Sequence, residues 1–317
     1  MNDTFGHWAG SLAHLAIALA GAPLLLSVIN RTKALFSGRV GQPWLQPYYD
    51  LWKLLHKGAV YSRTTTWVFR AGPMVGLAAV LTALLLVPVG GTSALISFSG
   101  DFLLLIYLLG LARLFTVLAA LDTGSPFEGM GASREVFFSA LAEPALLLGL
   151  AAVGRAVVHP ENAASTVLSL SHLHAGMSLD VWGRPTGLFL LIVAVALMIV
   201  LLAETCRIPV DDPTTHLELT MIHEVMVLDH GGVDFAFVLY GAALKLWIFA
   251  ALLINVVLPV RTGVPLADSL IAVALMPVLA VVVGVIESTM ARLKMNRVPH
   301  LLVGATALAA LAFVLEG

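Results

Sequence analysis

Apolar residues gather into eight long runs, near 8–29, 72–90, 102–121, 136–157, 185–204, 235–258, 265–287 and 298–316. Crossing a hydrocarbon layer of about 30 Å takes about 20 helical residues, and each run is of that order. In lipid a helix is the only open structure that satisfies its own backbone. The pattern therefore predicts an all-α membrane protein, a bundle of about eight transmembrane helices forming one integral membrane domain over 1–317. A different period occurs in the loop 30–71. Trp44, Tyr48, Leu51, Trp52 and Leu55 recur at helical spacing, while Gln46, Asp50, Lys53 and Lys57 fall on another face. This predicts a cytoplasmic amphipathic helix over 44–57, too short to span. It reads either as an interfacial anchor or as the wall of a cavity, with Trp and Tyr toward lipid. The segment 158–184 is polar and loop-like, and no internal repeat or low-complexity tract is evident.

Composition agrees with a bilayer setting: 59% of residues are hydrophobic and 11% charged, against roughly 25% charged in a soluble domain. The net charge of −2 gives no sign of a nucleic-acid partner. Cys206 is the one cysteine, whereas a thiolate-held iron–sulfur cluster takes about four. Any redox carrier is then expected in partner subunits or as a diffusible cofactor, with none bound by this chain and no turnover by the chain alone. No glycine-rich phosphate loop stands between a strand and a helix. Residues 1–7 hold Asp3 and no Lys or Arg, so the N-terminus reads as an uncleaved first span rather than a signal. Arg31, Lys33, Arg39, Lys53, Lys57, Arg63 and Arg70 crowd the loop 30–71, and Arg292, Lys294 and Arg297 the loop 288–297. The excess of basic residues predicts that loops 30–71, 122–135, 205–233 and 288–297 are cytoplasmic in a cell inner membrane, with both termini outward.

Ionisable residues inside apolar runs are the candidates for function. Arg113, Glu143 and Lys245 sit well within spans, and Glu204 and Glu287 at span ends. Each such charge costs roughly 2.5–3.5 kcal/mol on insertion scales, so it tends to pair and to mark an ion route. Desolvation pushes a glutamate toward its neutral form and a neighbouring cation pulls it back, which is the balance that loads or releases a proton. Glu143, Glu204, Glu218, Glu224 and Glu287, with His216 and His223, supply the proton-carrying groups; Arg113, Arg207 and Lys245 supply the opposing charges. Structural ion pairs holding helices together are the competing reading. Zinc is a rival for the histidines, but His216 and His223 are seven apart with no third ligand at helical spacing, and His172 and His174 fall in the outer loop. No metal site is expected. His14 reads as a satisfied core residue and Cys206 as a packing residue.

Residues 204–219 read Glu-Thr-Cys-Arg-Ile-Pro-Val-Asp-Asp-Pro-Thr-Thr-His-Leu-Glu-Leu. They resemble the loop after span five of the complex I membrane subunit that closes over the quinone site, respiratory-chain NADH dehydrogenase subunit 1. That loop reads Glu-Thr-Asn-Arg-x-Pro-Phe-Asp-Leu-Pro-Glu-x-Glu-x-Glu-Leu. Glu204, Thr205, Arg207, Pro209, Asp211, Pro213, Glu218 and Leu219 match it, while Thr214 and His216 stand where the family has glutamates. Residues 39–54 resemble the family's first loop, which ends Leu-Gln-x-x-x-Asp-x-x-Lys-Leu. The segment 122–144, beginning Asp-Thr-Gly-Ser-Pro-Phe-Glu-Gly, and Ser288-Thr-Met-Ala-Arg-Leu are similar to the branch in membrane-bound [NiFe] hydrogenases and formate hydrogenlyase, closest to formate hydrogenlyase subunit 4.

The resemblance implies a membrane anchor and ion-coupling subunit. Its implied partners are a peripheral [NiFe]-type large subunit, an iron–sulfur small subunit and antiporter-like membrane subunits, with the [NiFe] centre and iron–sulfur clusters in those partners. Glu143, Glu204, Arg207, Asp211 and Glu218 would form an acidic funnel into the membrane, and His216, with a reference pKa near neutrality, could carry protons in place of an acid. Arg39, Asp50 and Lys53 would line a cavity under the arm. The alternative is a quinone-binding subunit of an NADH dehydrogenase-type complex; quinone labelling of loop 30–71 discriminates the two. A free-standing secondary transporter fits poorly, because no paired broken spans are seen.

Overall fold

The computed structural model describes residues 2–157, 169–184, 186–212 and 221–315. Helices α1 (Asn2–Phe36), α2 (Gln46–Leu55), α3 (Trp67–Leu84), α4 (Asp101–Asp122) and α5 (Pro126–Val157) fill the first half. Then come the short α6 (Leu170–Gly176) and α7 (Leu179–Trp182), and the long α8 (Gly187–Glu204), α9 (Gly232–Val257), α10 (Pro265–Thr289) and α11 (Val298–Leu315). Eight of these are long and apolar enough to cross a membrane, and the chain is an all-α, multi-pass membrane protein.

The centre of the bundle is α9, which packs on α1, α3, α8 and α10. From Ala243 to Val256 every residue is buried except Lys245. A helix that is apolar all round belongs inside a bundle, so the one charge in this stretch is also the one break in it. Its start is shaped by Gly232, with a left-handed φ of 55°. A Cβ there would meet the Lys57 carbonyl oxygen at 2.7 Å, so only glycine lets the loop after α2 close over this helix end.

Side-chain contacts sort the loops into two ends. At one end, Lys33 pairs with Glu287 at 2.8 Å, and Thr66 meets the Asp122 carboxylate through its backbone N–H at 2.6 Å and its hydroxyl at 2.8 Å. There too Arg134 donates to the Met221 carbonyl at 3.0 Å, and the Leu293 N–H to the Pro209 carbonyl at 3.0 Å. The basic loops thus converge on one face of the bundle. At the other end, Asp101 accepts from the Leu170 N–H at 2.7 Å, Asn255 donates to the Pro88 carbonyl at 2.8 Å, and Arg261 to that of Gly90 at 2.6 Å.

The boundaries differ from expectation in four places. Residues 126–135 belong to α5 rather than to a loop 122–135, because Pro126 stands in the first turn, where its missing N–H costs nothing. The first helix runs from 2 to 36, and α3 ends at Leu84 rather than at 90. The described part of 158–184 holds two short helices instead of a plain loop. The amphipathic helix covers Gln46–Leu55 and lies against α1 and α9. Tyr48 turns inward to donate to the Ala20 carbonyl, while Tyr49 and Trp52 are exposed. Residues 213–220, with Thr214, His216 and Glu218, lie outside the described residues.

Candidate ion-coupling site

Three helices place charges around one arginine on a fourth. Arg113 lies midway along α4, and its planar guanidinium offers donors in a rigid fork. Nη1 meets Glu143 Oε1 at 2.5 Å, and Nη2 meets Glu204 Oε1 and Oε2 at 2.6 and 2.7 Å. Nε stands 3.7 Å from Glu135 Oε1. Lys245 closes the group from α9, with Nζ 2.8 Å from Glu204 Oε2. Glu135 and Glu143 are eight residues apart on α5, just over two turns, and so share its Arg113-facing side. Glu204 is the last residue of α8, where its side chain reaches between the two cations.

These charges are desolvated to different degrees. The side chains of Arg113 and Glu204 are 9% and 5% exposed, while that of Glu143 is 40% exposed. Among the described residues three carboxylates face two cations, so with all of these groups ionised the network carries one surplus negative charge. Beside it is a cavity of about 100 Å³. Gly72, Gly76 and Gly241 line it together with Arg113, Glu204 and Lys245. It extends to Glu135, Cys206 and His223, toward the loop end of the bundle.

A second network lies nearby. Glu287, at the end of α10, meets Lys33 Nζ at 2.8 Å and Arg207 Nη1 at 3.3 Å. Asp211 pairs with Arg292 at 2.9 Å and accepts from the backbone N–H of His223 at 3.1 Å. Burial pushes the Asp211 carboxyl above its ordinary value, partly offset by the His223 N–H and the Arg292 charge. Burial, Glu135 and Asp211 likewise push the Cys206 thiol well up.

The structure thus joins Arg113, Glu143, Glu204 and Lys245 in one network, and Arg207 and Glu287 in another. Asp211 is set in the loop between them. Glu224 opens a short 3-10 turn, Glu224–Val227, off the cavity. Arg39, Asp50 and Lys53 are exposed, and none lines this cavity. Of the residues read as core, His14 is buried beside Trp247, but its Nε2 meets no partner among the described residues. Glu135 was missed by sequence reasoning, which placed it in a loop; its eight-residue spacing from Glu143 was the available signal.

A bundle of long apolar helices with desolvated, mutually paired charges beside a cavity defines a polytopic membrane protein. The chain belongs to the NADH dehydrogenase family, whose match spans residues 10–316, in agreement with the loop resemblance to NADH dehydrogenase subunit 1. It is 30% identical over 309 residues to formate hydrogenlyase subunit 4 of Escherichia coli (strain K12), covering 96% of each chain. It is also 30% identical over 310 residues to hydrogenase-4 component C of the same organism, covering 96% of this chain and 94% of the relative. Its fold matches a chain in the structure of the membrane-bound sulfane sulfur reductase (MBS), an archaeal respiratory membrane complex. That match has a TM-score of 0.78 and 22% identity, and covers 98% of this chain and 100% of the other.

Proposed function

We propose that this chain is the membrane anchor and ion-coupling subunit of a hydrogenase-like, formate hydrogenlyase-type complex. It links a peripheral redox arm to proton or sodium translocation. The observation that carries the reading is the Arg113–Glu143–Glu204–Lys245 network, drawn from four helices and bordering a cavity. A purely structural ion pair gains nothing from a surplus acid and an adjoining cavity, whereas a group that takes up and releases a cation needs both. Kinship with a formate hydrogenlyase subunit and a hydrogenase component supports the same assignment.

In this reading the loop end of the bundle is cytoplasmic and the membrane is the cell inner membrane. The loop end receives a [NiFe]-type large subunit and an iron–sulfur small subunit, which hold the metal centres; antiporter-like subunits pack alongside in the bilayer. Exposed Arg39, Asp50 and Lys53 face the arm. The test is ion movement per electron in vesicles carrying the intact complex, with proton and sodium uptake followed together. Glu204→Gln is expected to lower the ratio by about 10²-fold, the low end for a positioned proton-transfer group, while the complex still assembles on native gels. An unchanged ratio in the assembled variant overturns the coupling role and leaves an anchor.

A further inference from the structure

Glu135, Cys206 and His223 come from three separate segments, and one ligand atom of each lies within 4.8 Å of the other two. All three line the same cavity of about 100 Å³. Zinc bonds of about 2.3 Å to sulfur and 2.0–2.2 Å to nitrogen or oxygen put tetrahedral ligands about 3.3–3.7 Å apart. Small side-chain rotations close that gap, and the cavity supplies room for a fourth, water ligand.

Two further observations point to a cation. The imidazole Nδ1 of His223 is buried with no hydrogen-bond partner among the described residues, and a buried unsatisfied group in a folded protein calls for a partner such as an ion. The charges also balance. Glu135, Glu143 and Glu204 with a Cys206 thiolate total four negative charges; Arg113, Lys245 and one divalent ion total four positive.

We propose that Glu135, Cys206 and His223 form a three-ligand site for a divalent transition-metal ion of the zinc class, open to the cavity at its fourth position. A thiolate with an imidazole and a carboxylate suits zinc rather than magnesium or calcium, which prefer oxygen alone. On binding, Cys206 releases its proton to water and becomes the ligand, and no redox change is involved. The local field that keeps the thiol protonated is inverted by the ion's own charge. The inference goes beyond the coupling role and is tested apart from it, although a bound ion would cancel the surplus charge of the network.

The experiment titrates Co2+ into the tag-free full-length chain in detergent and follows the thiolate-to-cobalt charge-transfer absorption. Cys206 is the chain's one cysteine, so the band reports this position alone. The expected result is a band saturating at one Co2+ per chain, displaced by Zn2+ and lost in Cys206→Ala. Loss of even an outer-shell partner weakens a metal site about 10–100-fold, so His223→Ala and Glu135→Gln should each weaken binding at least about tenfold. His56→Ala, at an exposed histidine, should bind as the wild type does. No band at millimolar Co2+ overturns the site, as does a band of undiminished affinity in both His223→Ala and Glu135→Gln. Those two variants also decide the matter if Cys206→Ala fails to fold.

Discussion

Glu204 and Glu287 each end a membrane helix at the same face of the bundle, and each bridges two cations. Both are buried, at 6% and 4% exposure. Yet the surroundings have opposite signs. Glu204 belongs to a group of three carboxylates and two cations that borders a cavity. Among the described residues, Glu287 is the single carboxylate between Lys33 and Arg207, and it lines no part of that cavity. Glu204 thus sits in a net-negative group beside open space, and Glu287 in a net-positive group away from it. Burial and pairing alone therefore do not distinguish the two glutamates, whereas charge balance and access to the cavity do.

The largest expected effect comes from removing the hub. Arg113→Met strands Glu135 and Glu143 and leaves Glu204 to Lys245 alone, and uncoupling a buried pair costs about 3–5 kcal/mol. A thermal-unfolding midpoint of the detergent-solubilised chain close to wild type would show that the network is not held by Arg113. Next is the contrast between the two glutamates in function: Glu287→Gln should leave ions moved per electron unchanged, against the roughly 10²-fold loss for Glu204→Gln. Equal losses in the assembled complex would erase the distinction drawn here. In stability, Glu287→Gln leaves Lys33 and Arg207 without their carboxylate and should cost about 1–3 kcal/mol, readable as a lower unfolding midpoint.

Smaller still is the pH effect at Asp211. Its carboxyl titrates above the ordinary value of 3.8 in the folded chain, chiefly through burial. The folded state thus favours the protonated form. That stability is fully present below the ordinary value and is lost as pH rises through the folded one. Asp211→Asn should flatten this fall, so the wild-type-minus-variant midpoint should decrease with pH above 3.8; a difference that grows with pH would contradict the assignment. The smallest change is expected for Lys33→Met. The Lys33 side chain is 23% exposed, and an ion pair open to solvent contributes about 0–1 kcal/mol, so a large midpoint loss would mean that Lys33 is essential to the Glu287 group.

Much of the site was legible early. Arg113, Glu143, Glu204 and Lys245 stand out because a charge in an apolar run is costly and therefore conspicuous. Their partners were not legible. Arg113 and Glu204 are 91 positions apart, and nothing in the chain marks them as neighbours. Glu135 was hidden for a different reason: polar residues at 122–135 lower local hydropathy, although packing against the 3-10 turn 224–227 carries α5 through them. The trio of Glu135, Cys206 and His223 escaped a search for ligand spacing because no two of its members share a helix.

The chain by itself determined the eight spans, the basic end of the bundle and the family, because hydropathy, charge and loop motifs are sums over neighbouring residues. Only the tertiary structure decided which carboxylate meets which cation. It also decided that Glu204 opens on a cavity while Glu287 does not, and that three ligating side chains converge beside it. Those outcomes rest on distances of a few ångströms between helices remote in sequence. Such distances are set by how whole helices pack around α9, and no local pattern in the chain encodes them.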